Sequence, residues 1–316
     1  MNNSNYAVVI LIRNSSTRLP LKGTCVYAPN GISNLEQLTR RWSRSRRRPT
    51  VIVATSDHPE DESISAICER TSTPCYRAPY SQVQSRDVVA QMEAALQAFA
   101  PRAEFVARAM ADNPLIDIFL TDWRLDVLTE MRADGLYYDA LDVSRITYCG
   151  TTDVYSRRAW DIFVEHSSGS QLEHPGAYFW DNLRNFSAIP APLPPREFLT
   201  PIRTELDTPA DLELFRAVWR AWAEKSDDPC PPTLWALDWL AAHPEVTALN
   251  AMIPTRTQSK PLYGRGFSWT CEGCQRRNGT IDAGNLTVRC SRCGKPKKYY
   301  AHKPTGKART PIVMGG

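Results

Sequence analysis

Near its N-terminus the chain reads AVVILI (residues 7–12), an uninterrupted apolar run that is rich in β-branched residues. A run of this kind is typical of a strand buried on both faces, as in a parallel sheet. A polar loop (13–22), a helical segment (about 34–47) and a second buried strand, TVIVA (50–54), follow it. The succession of strand, loop, helix and strand is that of a βαβ unit. The chain therefore opens with the core of an α/β sheet.

The same alternation continues along the chain. Helices are predicted over about 60–70, 86–99, 119–131 and 209–223, and strands near 75–76, 104–110, 136–139, 143–147 and 184–189. We predict one α/β domain, built on a parallel sheet, over residues 1–225. A helical extension and linker (226–262) follows, with Trp235 and Trp239 on one helical face that packs on the main domain. Residues 263–316 form a third unit.

Composition limits the classes of protein that remain. The chain has 316 residues, 42% of them hydrophobic and 23% charged, which is enough for one full-sized core and a smaller appendage. No apolar run approaches the roughly 18 residues that a bilayer span needs, so we expect no membrane insertion. Residues 1–5 carry no basic side chain ahead of the first apolar run, which does not resemble a secretory signal. We expect a cytoplasmic protein.

Polar loops follow three of the predicted strands, at residues 13–22, 55–57 and 112–114. Ligands of parallel α/β sheets bind at the carboxyl ends of the strands, so these loops form one candidate site. The first loop carries Arg13, Arg18 and Lys22 among hydroxyl side chains, a composition that suits a polyphosphate. It matches neither the Walker loop nor the G-x-G-x-x-G turn, and an ordinary surface loop is the alternative.

Four motifs carry a family resemblance. They read RNSSTRLPLK (13–22), ATSDHPED (54–61), ADNPLID (111–117) and LDTPADL (206–212). In this order they resemble the spore-coat polysaccharide and acylneuraminate cytidylyltransferase family, over about residues 6–220. The resemblance implies a Rossmann-like nucleotidyltransferase fold of the GT-A-like kind, with a mixed, mostly parallel sheet and flanking helices. It also implies a reaction in which a sugar hydroxyl attacks the α-phosphate of CTP, giving a CMP-sugar for glycan synthesis and releasing pyrophosphate.

Site residues carry over from that resemblance by position. The triphosphate would be held by Arg13, Ser16, Arg18 and Lys22, and Mg²⁺ by Asp112 and Asp207. Hard carboxylate oxygens are the ligands that Mg²⁺ prefers, and cations stabilise the charge on leaving phosphates. The other reading of Asp207 is an N-cap of the helix that begins at Pro209.

Further matches are local. The nucleotide side would include Ser56, Asp57 and Arg86, and the acceptor side His174, Arg203 and Asp153. Three departures from the family pattern concern the loops: Asn14 and Ser15 replace Met-Gly, Leu21 replaces a glycine, and Thr151 replaces an acid. Leucine does not readily adopt the positive φ that glycine allows. A second hypothesis is therefore a disabled nucleotidyltransferase fold that acts as a binding scaffold, and a third is transfer from another nucleotide or to a non-sugar acceptor.

The C-terminal unit carries a metal-ligand pattern. Cys271-x-x-Cys274 and Cys290-x-x-Cys293 are separated by fifteen residues, the spacing of a tetrahedral structural Zn²⁺ site, with disulfides as the alternative. Its knuckles resemble the Ran-binding-protein type of zinc finger, with a longer segment between them. Members of that family bind single-stranded RNA or protein partners.

Charge separates this tail from the rest of the chain. Residues 255–316 hold 13 Lys and Arg residues against two acids, whereas residues 1–254 hold 25 against 32. Basic side chains interleaved with Trp269, Tyr299 and Tyr300 suit phosphates and stacked bases. The open readings are docking of a protein partner, single-stranded RNA binding, and homo-oligomerisation. The basic run 40–48 is interpreted as a solvated helix end.

Overall fold

The computed structural model describes residues 5–15, 18–137, 152–191 and 202–253, and four short strands at 269–270, 277–278, 287–289 and 296–298. In the first four ranges the strands are β1 (Tyr6–Leu11), β2 (Thr50–Ser56), β3 (Cys75–Ala78), β4 (Phe105–Met110), β5 (Gly135–Tyr137), β6 (Val154–Ser156) and β7 (Ala188–Pro190). They form a seven-stranded sheet in the order β3-β2-β1-β4-β6-β5-β7. Only β6 runs antiparallel to its neighbours. The predicted mixed, mostly parallel sheet is confirmed.

Helices cover both faces of the sheet. They are α1 (Asn34–Trp42), α2 (Glu62–Arg70), α3 (Tyr80–Gln84), α4 (Val88–Phe99), α5 (Ile118–Met131), α6 (Arg157–His166), α7 (Ser170–Glu173), α8 (Gly176–Asp181), α9 (Pro209–Ala223), α10 (Thr233–Ala242) and α11 (Pro244–Thr247). One buried cluster joins the sheet to α1, α2 and α5, and another joins it to α4, α6 and α8. The opening strand lies at the centre, with Tyr6 to Ile10 fully buried.

A third apolar cluster lies between the helices α9 and α10 and the polar loops. It includes Phe215 and Trp219 from α9 and Leu237 from α10. The loops contribute Leu19, Leu115 and Leu206, one from each of three sequence motifs, and all three are buried. Their burial holds the three loops against the same pair of helices.

The register of the sheet sets where the loops emerge. Leu11, the last residue of β1, lies opposite Ala54 of β2 and Met110 of β4. Parallel strands in this register end at one edge, so the loops after β1, β2 and β4 leave the sheet side by side. The expectation that these loops share one edge is confirmed.

Helix α1 ends at Trp42, five residues before the predicted end, because the following residues form turns and their side chains bind other elements. Arg41 donates to the carbonyl of Pro231 at 2.7 Å, and Arg46 and Arg47 pair with Asp126 on α5. Arg41 is buried, whereas Arg46 and Arg47 remain largely exposed, so the run is a solvated helix end that also pairs with neighbouring elements.

Smaller differences lie elsewhere. The predicted helix 86–99 begins at Val88 behind the N-cap Asp87, and Leu183–Asn185 form a 3-10 turn where strand was predicted. The predicted strand 143–147 lies outside the described residues. None of the helices in the described ranges is long and apolar enough to cross a membrane.

The C-terminal unit contributes two antiparallel ribbons. Strand β8 (Trp269–Thr270) pairs with β9 (Arg277–Asn278), and β10 (Thr287–Arg289) pairs with β11 (Pro296–Lys298). Each Cys-x-x-Cys pair falls in sequence between the two strands of one ribbon. The four cysteines themselves lie outside the described residues.

Candidate active site

Two acids from distant parts of the sequence approach one lysine. The ammonium group of Lys22 lies 3.0 Å from Asp207 Oδ1 and 3.5 Å from Asp112 Oδ2. Arg18 pairs with the other oxygen of Asp207 at 2.6 Å. Three of the four motifs predicted to form the site are thereby brought together at the carboxyl edge of the sheet.

Backbone contacts fix the two acids relative to each other. Asp112 follows the end of β4, and its carbonyl accepts a hydrogen bond from Leu206 N at 2.8 Å. Asp207 is not the N-cap of α9, because Thr208 fills that position and forms a capping box with Asp211. The N-cap reading of Asp207 is therefore wrong, and its carboxylate is left to face the cations.

The electrostatics of the site hold Asp207 ionised. Burial on its own would raise the pKa of Asp207, but the charges of Lys22 and Arg18 outweigh it and bring the pKa below its ordinary value of 3.8. Glu205, two residues earlier, behaves in the opposite way. Burial raises its pKa, and the charges of Asp112 and Asp207 add to that effect.

Glu205 was not predicted from the sequence. It forms part of the same acidic group, because the charges of both Asp112 and Asp207 act on it. Its position two residues before Asp207 was the available signal. The motif resemblance drew attention to the later acid alone.

Arg203 lies among acids instead of on an open surface. Its guanidinium pairs with Glu205 at 2.6 Å, with Asp211 at 3.0 Å and with Asp207 at 3.5 Å. Its side chain is 5% exposed. In this structure Arg203 braces the turn that carries Asp207, whereas the resemblance placed it at the acceptor.

Asn14 braces the predicted phosphate loop from within. Its side-chain nitrogen donates to the carbonyl of Glu60 at 2.7 Å and to Ser63 Oγ at 2.9 Å, and its backbone N–H donates to Asp61 at 2.8 Å. Thr24 donates to its side-chain oxygen at 3.4 Å. The departure at position 14 therefore ties the first loop to the loop after β2.

Leu21 adopts the conformation expected of the glycine that it replaces. Its φ is +57°, in the left-handed region, and its N–H donates to Asn14 O at 3.2 Å. Its side chain is 54% exposed. The loop keeps a glycine-like turn at the expense of local backbone strain.

The other predicted loop residues are placed as follows. Arg13 is exposed at the start of the loop, and Ser16 lies outside the described residues. Ser56 is fully buried and its hydroxyl donates to Asp61. Asp57 accepts from Tyr80 N at 2.8 Å. A nucleotide contact at these positions stays a prediction.

Three further predicted residues, Arg86 on the nucleotide side and His174 and Asp153 on the acceptor side, lie in or beside the α7–α8 segment. Arg86, itself at φ +58°, pairs with Glu173 at 3.5 Å, and His174 follows at the end of α7. Asp153 Oδ2 lies 3.7 Å from the place that a Cβ would take on Gly176. Asp153 therefore lies beside the start of α8, and Thr151 lies outside the described residues.

Arg108 is a second residue that sequence reasoning missed. It belongs to β4, between the fully buried Ala107 and the buried Ala109. Burial lowers its pKa, and the charges of Asp112 and Asp153 oppose that effect. A charged residue within an apolar strand was the available signal. It links the acid at the strand end with the region around Asp153.

The residues fit a divalent cation at the paired acids. Within the described ranges, no group of three or more His, Cys, Asp or Glu side chains has the arrangement of a metal site. Asp112 and Asp207 nevertheless direct carboxylate oxygens at one positive centre, the ammonium of Lys22. Carboxylate pairs of this kind, completed by water and phosphate oxygens, are typical Mg²⁺ ligands.

Two curated proteins are similar to this chain in sequence, whereas no protein-family model matches it. An uncharacterized protein of Methanocaldococcus jannaschii is 24% identical over 251 residues, covering 78% of this chain and 94% of its own length. The spore coat polysaccharide biosynthesis protein SpsF of Bacillus subtilis is 27% identical over 234 residues, covering 69% of this chain and 88% of its own length.

Solved structures show the fold. A cytidylyltransferase from Leptospira borgpetersenii superposes with a TM-score of 0.66 at 17% identity, covering 79% of this chain and 99% of that chain. The protein therefore has a nucleotidyltransferase fold, as the motif resemblance implied.

Replacing Leu21 with glycine tests the strain in the loop. We expect Leu21→Gly to raise the free energy of unfolding by about 1 kcal/mol, because glycine adopts a left-handed φ without steric cost and the leucine side chain is half exposed. Urea denaturation measures the difference. Leu21→Ala is the matched control, since alanine retains the Cβ; an equal gain from both variants would contradict the explanation.

Acid sensitivity tests the role of Lys22. The unfolded chain binds a proton at Asp207 near its ordinary pKa of 3.8 and the folded protein only below it, so stability falls as pH decreases through this range. Lys22→Met removes the foremost cation, so the loss between pH 5 and pH 3 should be smaller than in the wild type. Urea denaturation at both pH values measures it, with the exposed Lys225→Met as control. An unchanged pH dependence would show that Lys22 does not set this pKa.

Proposed function

We propose that this protein is a Mg²⁺-dependent cytidylyltransferase, which transfers CMP from CTP to a sugar and so provides a CMP-sugar for glycan synthesis. The observation that carries the proposal is the convergence of Asp112, Asp207 and Lys22 at the carboxyl edge of a nucleotidyltransferase sheet. The similarity to a spore coat polysaccharide biosynthesis protein supports the choice of a sugar acceptor.

In this proposal Asp112 and Asp207 hold Mg²⁺ through their carboxylate oxygens. Bound there, the ion would neutralise phosphate charge and orient the triphosphate. Lys22 and Arg18, which pair with Asp207 in the present structure, would turn toward the phosphates once the carboxylates bind the ion. Without nucleotide, Lys22 and Arg18 would thus remain paired with Asp207.

The transfer step needs positioned charge more than covalent chemistry. An acceptor hydroxyl attacks the α-phosphorus and loses its proton to water, a new P–O bond forms, and the bond to the bridging oxygen breaks as pyrophosphate leaves. Arg13, Arg18 and Lys22 lie on the loop where they can stabilise the charge that accumulates on the leaving group. Asp153 and His174 are the proposed lining of the acceptor side, and Arg86, which pairs with Glu173, is proposed on the nucleotide side.

A disabled scaffold is the competing function. Its motivation is Leu21 and Thr151; Thr151 lies outside the described residues, and the left-handed φ of Leu21 bears directly on the hypothesis. Because the turn keeps a glycine-like conformation, the substitution does not by itself distort the loop. Nucleotide binding distinguishes the two functions.

Calorimetric titration of CTP into the full-length protein tests the proposal. We expect micromolar CTP binding that requires Mg²⁺, with weaker binding of ATP, GTP and UTP. Preferred binding of one of those nucleotides would instead favour a related transferase. No binding of any nucleotide would support the scaffold.

Turnover of Asp112→Asn tests the role of that acid, with pyrophosphate release as the readout. We expect a loss of about 100-fold or more with folding intact, since removing one preorganised charge commonly has this effect. Asp161→Asn, an exposed acid on α6, is the matched control and should retain wild-type turnover. Near-normal activity of Asp112→Asn would remove this residue from the mechanism.

For the C-terminal unit we propose a structural Zn²⁺ bound by Cys271, Cys274, Cys290 and Cys293. Its support is the pattern of two Cys-x-x-Cys pairs, each bracketed by a two-stranded ribbon. Zinc binding would contribute much of the folding free energy of such a short unit. The basic residues around it suit a docking role toward a protein partner or single-stranded RNA.

Metal analysis of the full-length protein tests the zinc proposal. We expect about one zinc per chain, reduced in Cys271→Ser and unchanged in Cys25→Ser, whose cysteine lies outside the pattern. Thiol titration after denaturation without reductant distinguishes thiolates from disulfides. Four missing thiols together with absent zinc would support the disulfide reading instead.

A further inference from the structure

The extension that follows α9, residues 226–253, contacts the loops of the candidate active site. Residues 226–253 lie beyond the four sequence motifs, yet two of their side chains contact the loops that carry the paired acids. Thr233 Oγ1 donates to the carbonyl of Leu115 at 3.0 Å, three residues after Asp112. The second contact, from Asn250, is more direct.

Asn250 is 1% exposed and lies in the turn after α11. Its side-chain nitrogen donates to Asp211 Oδ1 at 2.8 Å and to the carbonyl of Arg203 at 3.2 Å. One side-chain amide therefore binds both ends of the segment 203–211. Asp207 lies between these ends.

Asp211 connects Asn250 to Asp207, because its carboxylate accepts hydrogen bonds from both residues. Its second oxygen accepts the backbone N–H groups of Asp207, at 3.0 Å, and of Thr208, at 2.8 Å. Asp211 is fully buried, so the carboxylate that organises the turn has no water to replace a lost donor. Burial would raise its pKa, but hydrogen bonds led by those from Arg203 and Asn250 outweigh burial and lower it.

Arg203 makes the arrangement sensitive to the loss of one donor. Its guanidinium is shared among Glu205, at 2.6 Å, Asp211, at 3.0 Å, and Asp207, at 3.5 Å. Without Asn250, the charge of Asp211 Oδ1 would be met by Arg203 alone. The guanidinium would then shift toward Asp211 and away from Asp207, and the backbone turn between them would loosen.

We propose that Asn250 is a positioning residue for Asp207: through Asp211 and Arg203 it fixes the turn that presents this carboxylate. The extension is then a working part of the active site, although it lies outside the motifs that identify the site. The role assigned to Asp207 rests on the function proposed above. The geometric part of the inference does not, and it is tested separately.

Hydrogen exchange of the full-length protein tests the geometric part. In Asn250→Ala, the amides of Asp207 and Thr208 should exchange about tenfold faster than in the wild type, because both donate to Asp211. Trp222→Phe is the matched control. It removes one hydrogen bond of the same extension, from the indole to the carbonyl of Asp228, and should leave these two amides protected. Unchanged exchange in Asn250→Ala would overturn the inference whatever the reaction is.

The concentration of Mg²⁺ needed for half-maximal turnover tests the functional part. We expect Asn250→Ala to raise it about tenfold, with KM for the acceptor unchanged, since a displaced Asp207 weakens metal binding and not acceptor binding. Trp222→Phe should leave both values at the wild-type level. A general loss of folded protein would lower kcat without this selectivity, and that result would overturn a positioning role.

Two outcomes separate this inference from the function on which it rests. If the wild type shows no Mg²⁺-dependent turnover but the Asp207 amide exchanges faster in Asn250→Ala, the proposed function is wrong and the structural role of Asn250 is supported. If turnover depends on Mg²⁺ but amide exchange is unchanged in Asn250→Ala, the proposed function is supported and the positioning role of Asn250 is wrong. Should Asn250→Ala not fold, Asn250→Ser is measured instead: its short hydroxyl cannot donate to both Asp211 and the carbonyl of Arg203, so exchange at Asp207 and Thr208 should still exceed that of the wild type, and wild-type protection would overturn the inference.

Discussion

The burial of three leucines is the constraint on which the candidate site depends. Leu19, Leu115 and Leu206 belong to three separate polar loops, and all three pack into the cluster under α9 and α10. Each loop is anchored through its apolar residue, which leaves the neighbouring charged residues at the edge of the sheet. Hydrophobic burial of the leucines thus brings the charged side chains of the three loops together. Attraction and repulsion among these charges alone would not fix their positions.

Charge then selects the arrangement within that frame. Asp112, Glu205 and Asp207 repel one another, and Lys22, Arg18 and Arg203 compensate them unevenly. Asp207, with three cationic partners, keeps a low pKa, whereas the pKa of Glu205 is raised. Two acids separated by a single residue, Glu205 and Asp207, therefore have pKa values shifted in opposite directions, and the difference comes from tertiary contacts that the sequence does not display.

Local patterns predicted the elements that local physics determines. The buried run of β1 and the start of α9 at Pro209 follow from side-chain composition and capping, and both are confirmed. The predicted end of α1 was wrong because the basic residues near it bind partners on α5 and in the extension. Arg203 and Glu205 could not be placed, since their roles depend on contacts with Asp211 and Asp112. Ser16 and the four cysteines lie outside the described residues, so their roles stay predictions.

The dependence of the Asp207 turn on Asn250 also bears on how such a chain can be assembled in evolution. The family resemblance ends near residue 220, and a recombination boundary placed there would appear to preserve every motif. It would, however, remove the amide that braces Asp211 and the threonine that contacts the Asp112 loop. Exchange of the C-terminal unit between proteins therefore preserves the Asp207 turn only when the junction lies beyond residue 250, so the structural module is longer than the segment that the four motifs outline.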